Sequence, residues 1–287
     1  NTDQYSIDVV FTDGVDGIET EGNNAKSSAD NLGLGISGMI SSGSDEDWYQ
    51  FNISSTSTID VTFDVDRDST LRYWLVTIQD ASGNVLAAAD TGGVRAFNTG
   101  LDQTGTYYLV IEQGSWNEHN TDQYSIDVVF TDGVGGIETE GNDSRANADD
   151  MEFEMNGTMR SHDDQDFFRF DVSGSTSVNL FFDAAADSSL HYWFVSIQDS
   201  EGNVLAGADI GEDWEFSTGL DEPGTYYVVV ERGSWVYHNT DQYRVSIDGF
   251  PGTAGIETEP NDGPAVSDQL GQLSATNDLF VLGQLWL

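Results

Sequence analysis

The chain has 287 residues, no cysteine, and 51 Asp and Glu against 9 Lys and Arg, which gives a formal net charge of −42. The absence of thiols excludes disulfides, a cysteine nucleophile and cysteine-ligated metal sites. The shortage of cationic side chains predicts no nucleic-acid partner, and no apolar run reaches the roughly 18 residues that membrane insertion requires. The carboxylates instead indicate divalent cations, or life in high salt as in halophilic or marine proteins.

The sequence is repetitive. Ile18, Ile137 and Ile256 each open a nearly identical acidic heptapeptide, and both intervals are 119 residues (137 − 18 and 256 − 137). Residues 1–14 are identical to 120–133, so the chain is expected to start within a module, with any export signal upstream in a longer precursor. A period of this length is typical of a self-contained domain, because solenoid repeats have only about 20–50 residues. The predicted parts are the last strand of a preceding module (1–16), a complete first module (17–135), a complete second module (136–254) and the start of a following module (255–287).

Short alternating runs bounded by Gly, Asn, Asp and Ser predict strands along each module. In the first module the predicted strands are 36–41, 47–54, 58–64, 71–79, 84–89, 94–98, 105–112 and 122–131. A helical turn is expected only within 25–32, since no segment sustains a 3.6-residue period. About eight strands per module predict an all-β fold of tandem antiparallel jelly-roll-like β-sandwich modules.

The motifs recur in one order along each module. Glu-Thr-Glu-x-Asn opens it, a Gly follows, and Asp-x-Asp precedes a pair of aromatic residues; Gly-Thr-Tyr-Tyr-x-Val-x-Glu and Asp-Gln-Tyr close it. This order resembles the bacterial pre-peptidase C-terminal domain, whose relatives include the collagen-binding domains of clostridial collagenases. The resemblance implies a jelly-roll-like β-sandwich without catalytic activity, found beside secreted enzymes or in large surface proteins. It also implies that the acidic opening segment binds calcium together with an acidic loop.

Carried over residue by residue, the resemblance implies a Ca2+ site in each complete module. The implied ligands of the first module are Glu19, Glu21, Asn23, Asp45 and Asp47. Those of the second module are Glu138, Glu140, Asn142, Asp143, Asp164 and Asp166. The third copy supplies only Glu257, Glu259, Asn261 and Asp262, so its site is expected to be incomplete. The first two copies have Gly22 and Gly141 where the family usually has the proline that Pro260 provides, so the linker is expected to be looser there.

The chemistry of these side chains agrees with the resemblance. Calcium takes about six to eight oxygen ligands from carboxylates, amides and carbonyls. In an extended segment Glu19, Glu21 and Asn23 point to one side, and Asp45 and Asp47 do so on their own stretch, so that two rows of oxygens can face each other. The alternative is that these are ordinary solvated charges in a chain that has 51 acidic residues.

Aromatic and histidine side chains form a weaker candidate ligand site. Trp116 and His119 follow a predicted strand in the first module, and Trp235 and His238 follow its counterpart in the second. They can stack on a sugar ring or hold a peptide. The interpretation that we favour is structural, with the tryptophan closing one end of the sandwich and the histidine hydrogen-bonded to backbone.

The sequence predicts no enzyme activity, because it lacks a nucleophile elbow, a His-Glu-x-x-His motif and a phosphate-binding or dinucleotide-binding glycine loop. A carboxylate pair for glycoside hydrolysis is defined by spatial separation, so the sequence leaves it open. The main hypothesis is a non-catalytic, calcium-stabilised tandem-repeat region of a secreted or cell-surface protein, which serves extension, adhesion, or contact with matrix or fibres. Its expected partners are extracellular polysaccharide or protein, or neighbouring copies in a fibre. The alternative is an accessory module that targets a secreted protease or glycosidase to a polysaccharide or protein.

Overall fold

The computed structural model describes residues 17–33, 35–184, 187–252 and 258. Within these residues the regular structure is almost entirely β, and Lys26–Ser28, a single 3₁₀ turn, is the one helical element. The predicted all-β fold is therefore confirmed, and the helical turn lies within the predicted range 25–32. The predicted flanking parts, 1–16 and all of 255–287 except Thr258, lie outside the described residues, as do the candidate ligands of the third copy.

Two sets of nine strands follow one another along the chain. In the first module they are Asp30–Asn31 (β1), Ile36–Gly38 (β2), Glu46–Ile53 (β3), Ser57–Val65 (β4), Trp74–Gln79 (β5), Val85–Thr91 (β6), Arg95–Leu101 (β7), Gly105–Gln113 (β8) and Tyr124–Asp132 (β9). In the second module they are Asp149–Asp150 (β10), Glu154–Gly157 (β11), Gln165–Val172 (β12), Thr176–Ala184 (β13), Trp193–Gln198 (β14), Val204–Ile210 (β15), Trp214–Leu220 (β16), Gly224–Arg232 (β17) and Tyr243–Pro251 (β18). The strand predicted over 71–79 begins only at Trp74, because Tyr73 N donates to the Leu71 carbonyl in a turn (3.1 Å).

Each module packs a five-stranded sheet against a four-stranded sheet. In the first module the orders are β1-β3-β8-β5-β6 and β2-β9-β4-β7, and the second repeats them as β10-β12-β17-β14-β15 and β11-β18-β13-β16. The strand pairs are antiparallel except for β1 with β3 and β10 with β12, which are parallel. These two-residue strands directly follow the acidic opening segments. Each of them forms an edge of the five-stranded sheet, whereas the acidic segment before it pairs with the edge strand of the four-stranded sheet.

A hydrophobic core fills the space between the two sheets of each module. Trp74 packs on Phe63 of the opposite sheet with ring centroids 5.8 Å apart, and Trp193 packs on Phe182 at 5.4 Å. Both tryptophans are fully buried. Burying an aromatic side chain of this kind contributes about 1.5–3 kcal/mol. The described part of the chain thus has two equivalent cores rather than one continuous core.

The two modules contact each other at one junction. Gly100 N, in β7 of the first module, donates to the Glu138 carbonyl at 3.0 Å, and Gly100 forms a parallel bridge with Thr139. Arg95 of the same strand forms an ion pair of 2.8 Å with Asp241, which lies in the loop before β18. The acidic opening segment of the second module therefore lies against the first module.

Candidate metal centres

The acidic opening segment runs beside the four-stranded sheet of its own module. Glu19 N donates to the Ser37 carbonyl at 3.0 Å, and Ile18 forms a parallel bridge with Ser37. Thr20 is held by Asp30, whose two carboxylate oxygens accept from Thr20 N at 2.8 Å and from Thr20 Oγ1 at 2.5 Å. The second module repeats these contacts with Glu138, Asn156, Ile137, Thr139 and Asp149. The segment is thereby fixed as an extended chain whose alternate side chains point toward the sandwich.

In the second module the predicted ligands converge into two adjoining clusters. One carboxylate oxygen from each of Glu138, Glu140 and Asp166 lies within 4.8 Å of the other two; we call this the inner cluster. Glu140, Asp143 and Asp164 satisfy the same distance and form the outer cluster. Glu140 belongs to both, so a change at one cluster acts on the other.

Several oxygens of this region are buried without a hydrogen-bond donor. Glu138, Asn142 and Asp166 are 0% exposed. Asp166 Oδ2 accepts from the Tyr243 hydroxyl at 2.5 Å, but within the described residues no donor reaches Asp166 Oδ1, Asn142 Oδ1 or Glu140 Oε1. A buried acceptor left unpaired costs about 1–3 kcal/mol, and more when it is charged. A single cation among these oxygens would satisfy several of them at once.

Burial also changes the protonation of the inner cluster. Desolvation and the nearby Asp166 charge raise the pKa of Glu138 well above its usual range, and desolvation with the Asp164 charge does the same to the pKa of Asp166. Desolvation is likewise the main cause of the raised pKa of Glu140. Carboxyl groups of this kind hold protons near neutral pH, and a cation that binds them must displace those protons.

The outer cluster is occupied by a guanidinium group. Arg160 Nη2 lies 2.6 Å from Asp143, Nε lies 3.1 Å from Asp164, and Nη1 forms an ion pair with Glu140. The backbone N of Arg160 also donates to Asp164 Oδ2 at 2.7 Å. A sequence-based ligand search does not find this residue, since it contributes a cation and not an oxygen.

In the first module the acids do not converge as closely. Asn23, Asp45 and Asp47 are 1%, 3% and 0% exposed, but Glu21 is exposed to solvent. Asp47 Oδ1 and both polar side-chain atoms of Asn23 have no partner within the described residues. Desolvation raises the pKa of Asp47 to about 8. Among the described residues, the acidic groups of three that lie within 4.8 Å of one another are both in the second module, so the first module buries Asn23, Asp45 and Asp47 but leaves Glu21 outside.

A tyrosine hydroxyl joins the two rows of acids in each module. The Tyr124 hydroxyl lies 3.0 Å from Glu19 Oε2 and 2.6 Å from Asp47 Oδ2. The second module repeats the arrangement with Tyr243, Glu138 and Asp166. Sequence analysis missed this residue as part of the site, although it ends the recurring Asp-Gln-Tyr motif. The recurrence itself was the available signal.

The weaker candidate residues are the tryptophans and histidines that follow β8 and β17. Trp116 and Trp235 are 40% and 37% exposed, and their backbone N–H groups donate to the carbonyls of Arg72 and His191 at 2.9 Å. His238 lines a cleft of about 770 Å³ that residues of both modules form. Other side chains that line this cleft are Arg72, Gln79, Arg160, His162, Tyr192 and Tyr237. The sequence predicted His238 as a weak ligand-binding candidate, but it did not indicate that this residue lines a cleft between the two modules.

No family model matches the sequence, and no curated protein matches it. Solved structures of similar fold include the N-terminal CBM22-1-CBM22-2 tandem domain from Paenibacillus barcinonensis Xyn10C, at 10% identity and a TM-score of 0.24, over 70% of this chain and 82% of that one. The tandem CBM51 modules of Sp3GH98, a family 98 glycoside hydrolase from Streptococcus pneumoniae, match at 9% identity and a TM-score of 0.26, over 74% and 82% of the two chains. The CUB1-EGF-CUB2 domain of human MASP-1/3 matches at 10% identity and a TM-score of 0.23, over 71% and 93%. At these values the likeness concerns the fold alone. Within the described residues, no helix has the length and apolar character needed to cross a membrane.

Proposed function

We propose that this chain is a non-catalytic tandem-repeat region of a secreted or cell-surface protein, in which calcium stabilises each β-sandwich module. One observation carries the proposal. Both copies bury carboxylate and amide oxygens in the same register without hydrogen-bond donors, at Asn23 and Asp47 in the first module and at Asn142 and Asp166 in the second. Ordinary solvated acids would not be 0–1% exposed, as these four residues are. The motif order that resembles the pre-peptidase C-terminal domain supports the same proposal.

The donor set favours calcium over other divalent cations. The clusters consist of carboxylate oxygens and contain no histidine or cysteine, whereas zinc is usually held by nitrogen and sulfur. Magnesium demands a near-ideal octahedron and retains several waters, which suits a buried site poorly. Calcium accepts irregular sets of oxygens, including backbone carbonyls. The oxygens of the opening segment and of the Asp-x-Asp stretch form such an irregular set, which calcium can accept.

The position of the second cluster connects the cation to the role of the array. Glu138 offers its carboxylate to the inner cluster, while its backbone carbonyl accepts from Gly100 of the preceding module. A cation bound there would hold the segment, its own sandwich and the neighbouring module together. A stiffened string of modules suits extension or adhesion outside the cell.

Thermal unfolding of the chain tests the proposal, with EDTA, millimolar CaCl2, millimolar MgCl2 or molar NaCl in parallel samples. Calcium is expected to raise the melting temperature, since a ligand present at 100 times its Kd adds about 2.7 kcal/mol to the free energy of unfolding. The control is the double variant Asp47→Asn/Asp166→Asn, which keeps the shape of both side chains but removes two buried carboxyl groups that must ionise to bind a cation. It is expected to melt higher than the parent in EDTA and to gain less from calcium. A parent protein stabilised equally by NaCl, with no added effect of calcium, would show that the acids are a halophilic surface.

A second function is favoured by the cleft between the modules, namely targeting of a secreted enzyme to polysaccharide. Its volume of about 770 Å³ lies within the range of about 300–1,000 Å³ that is usual for ligand pockets. Tyr192 and Tyr237 line it with aromatic rings, and Gln79 and Arg72 line it with hydrogen-bonding groups. Affinity electrophoresis in gels that contain soluble polysaccharides tests this function, with Tyr237→Ala as the variant and Trp214→Ala, outside the cleft, as the control. The function is supported if a polysaccharide retards the parent and Trp214→Ala but not Tyr237→Ala. It is contradicted if all three proteins have the same mobility in every polysaccharide.

A further inference from the structure

The two acidic regions differ in charge at one aligned position. The 119-residue offset aligns Arg160 with Ser41, and it also aligns Asp143 with Asn24. The second module therefore has a side-chain cation beside its acids at a point where the first module has a neutral hydroxyl. The first module has one carboxylate fewer at the same place.

The backbone around this position is the same in both modules. Ser41 N donates to Asp45 Oδ2 at 2.6 Å, and Arg160 N donates to Asp164 Oδ2 at 2.7 Å. The difference between the modules is thus in the side chain and not in the path of the main chain. In the first module Glu21 stays in solvent, while its counterpart Glu140 is drawn inward to a side-chain exposure of 1%.

The guanidinium contacts in the second module are not those of a surface ion pair. Arg160 is 18% exposed, and two of its three carboxylate partners, Glu140 and Asp164, are 1% and 0% exposed. Exposed pairs contribute little, but a planar guanidinium that meets several buried carboxylates forms directed, charge-assisted hydrogen bonds. The group occupies the centre of the outer cluster, where a free cation would otherwise lie.

We propose that Arg160 is a built-in cation that fills the outer cluster of the second module, so that this module binds a divalent cation only at its inner cluster. The first module has Ser41 at that position, and only the neutral Asn24 amide lies beside Asp45 Oδ1 (3.1 Å), so a free divalent cation can displace that amide and draw in Glu21. This inference rests on the proposed cation function of the clusters. Because Glu140 is shared by both clusters, Arg160 also weakens the inner site of the second module.

The same side chain reaches the neighbouring module. Arg160 Nη1 lies 3.5 Å from the Val85 carbonyl, which belongs to β6 of the first module, and Arg160 lines the cleft. The built-in cation therefore sits at the junction, where it remains in place when the calcium concentration falls. The first module has Ser41 instead and so has no side-chain cation at this position.

A reciprocal exchange in the 287-residue chain tests the inference. Isothermal titration with CaCl2 gives the number of bound ions and their affinities for the parent, Arg160→Ser, Ser41→Arg and the double exchange. We expect Arg160→Ser to bind one more calcium ion than the parent, with affinity at the second module at least about tenfold higher, which corresponds to about 1.4 kcal/mol. Ser41→Arg is expected to bind one fewer, and the double exchange to restore the parental number. Arg160→Lys is the control and gains no ion, because it keeps the positive charge.

The possible outcomes separate the two proposals. If the parent binds calcium and neither exchange alters the number or the affinity of the ions, the role of Arg160 is wrong and the proposed function stands. If neither the parent nor any variant binds calcium, both proposals are wrong. If Arg160→Ser unfolds in EDTA, Ser41→Arg decides the question, since it removes no native contact. Its melting temperature in EDTA is then expected to exceed that of the parent and to respond less to calcium.

Discussion

At the scale of single residues, the tyrosine hydroxyl is a neutral donor that both rows of acids share. Tyr124 faces Glu19 and Asp47 but donates one proton, so it satisfies at most one of them at any moment. Glu19 has a second donor, since its Oε1 accepts from Met39 N at 3.1 Å. When Tyr124 turns to Glu19, Asp47 has no other donor among the described residues and must be protonated or bind a cation. In the second module Tyr243 faces Glu138 and Asp166 in the same way, and Glu138 Oε1 accepts from Thr158 N at 2.6 Å.

Replacing Tyr124 with Phe is expected to lower the free energy of unfolding in EDTA by about 1–3 kcal/mol, because Asp47 loses its only donor among the described residues. Urea denaturation with EDTA present measures the change. Tyr49→Phe is the matched control: its hydroxyl lies 2.7 Å from that of Tyr124, and the second module has Phe168 at the equivalent position. A control variant as unstable as Tyr124→Phe would contradict the special role of Tyr124.

The raised pKa of Asp47 predicts how the calcium-free first module responds to pH. Because the folded-state pKa of about 8 lies above the unfolded value near 3.9, the contribution of Asp47 is fully present below about pH 4 and is lost as pH rises through about 8. The melting temperature in EDTA is therefore expected to fall between pH 5 and pH 9. Asp47→Asn, measured alongside, removes this group while leaving the general repulsion of the other acids. Parallel curves for the two proteins would refute the assignment to Asp47.

At the scale of elements, the short strand β2 lets the opening segment approach the closing strand β9. A Cβ at Gly38 would overlap the Tyr124 hydroxyl and the Glu19 carboxylate. The glycine of the recurring motif is thus required by close approach and not by its backbone angles. In the second module Gly157 meets Tyr243 and Glu138 in the same way.

Gly38→Ala is expected to destabilise the first module by about 1–3 kcal/mol, as overpacking usually does, and to weaken its calcium binding. Urea denaturation and calcium titration measure the two effects. Gly33→Ala is the control, because a Cβ there meets no atom within 4 Å and its backbone is not left-handed. Calcium binding by Gly38→Ala that equals the control's would separate this glycine from the cation site.

The sequence predicted the strands well because the apolar residues alternate, and it singled out the acids because they recur in register. It missed what depends on distant parts of the chain meeting: Tyr124 and Glu19 are 105 residues apart. Asp30, whose carboxylate accepts from Thr20 N and Thr20 Oγ1, was missed for a related reason. One more acidic residue in an acidic chain forms no recognisable sequence pattern. The parallel pairing of β1 with β3 was also unexpected, because two residues are too few to show a period.

At the scale of the whole molecule, one contact of the junction recurs among the described residues. Gly219 forms a parallel bridge with Thr258, and these residues are the counterparts of Gly100 and Thr139. The loop before β18 also contributes to the junction between the two modules, since Asp90 N donates to Thr240 Oγ1 at 3.1 Å. A contact that recurs in one direction is the pattern expected of a head-to-tail arrangement.

Asp241→Ala is expected to loosen the junction, because Arg95 loses its ion-pair partner. Small-angle X-ray scattering of the chain in calcium should then show a broader distribution of distances between the modules than in the parent. Asp122→Ala is the control, since Asp122 is the counterpart of Asp241 in the first module and bonds to Asn120 instead. Identical scattering from all three proteins would show that this ion pair does not fix the orientation.

The attachment of the segment to two sandwiches has a mechanical consequence. Tension along the array would load the hydrogen bond from Gly100 N to the Glu138 carbonyl, the hydrogen bonds between Thr139 and Asp149, and the two acidic clusters. If these contacts break before either core unfolds, residues 137–149 detach from the sandwich and extend the chain by up to roughly 45 Å, at about 3.4 Å per residue. Each junction would then yield and re-form under load, and on the proposed calcium function its yield force would rise with the calcium concentration.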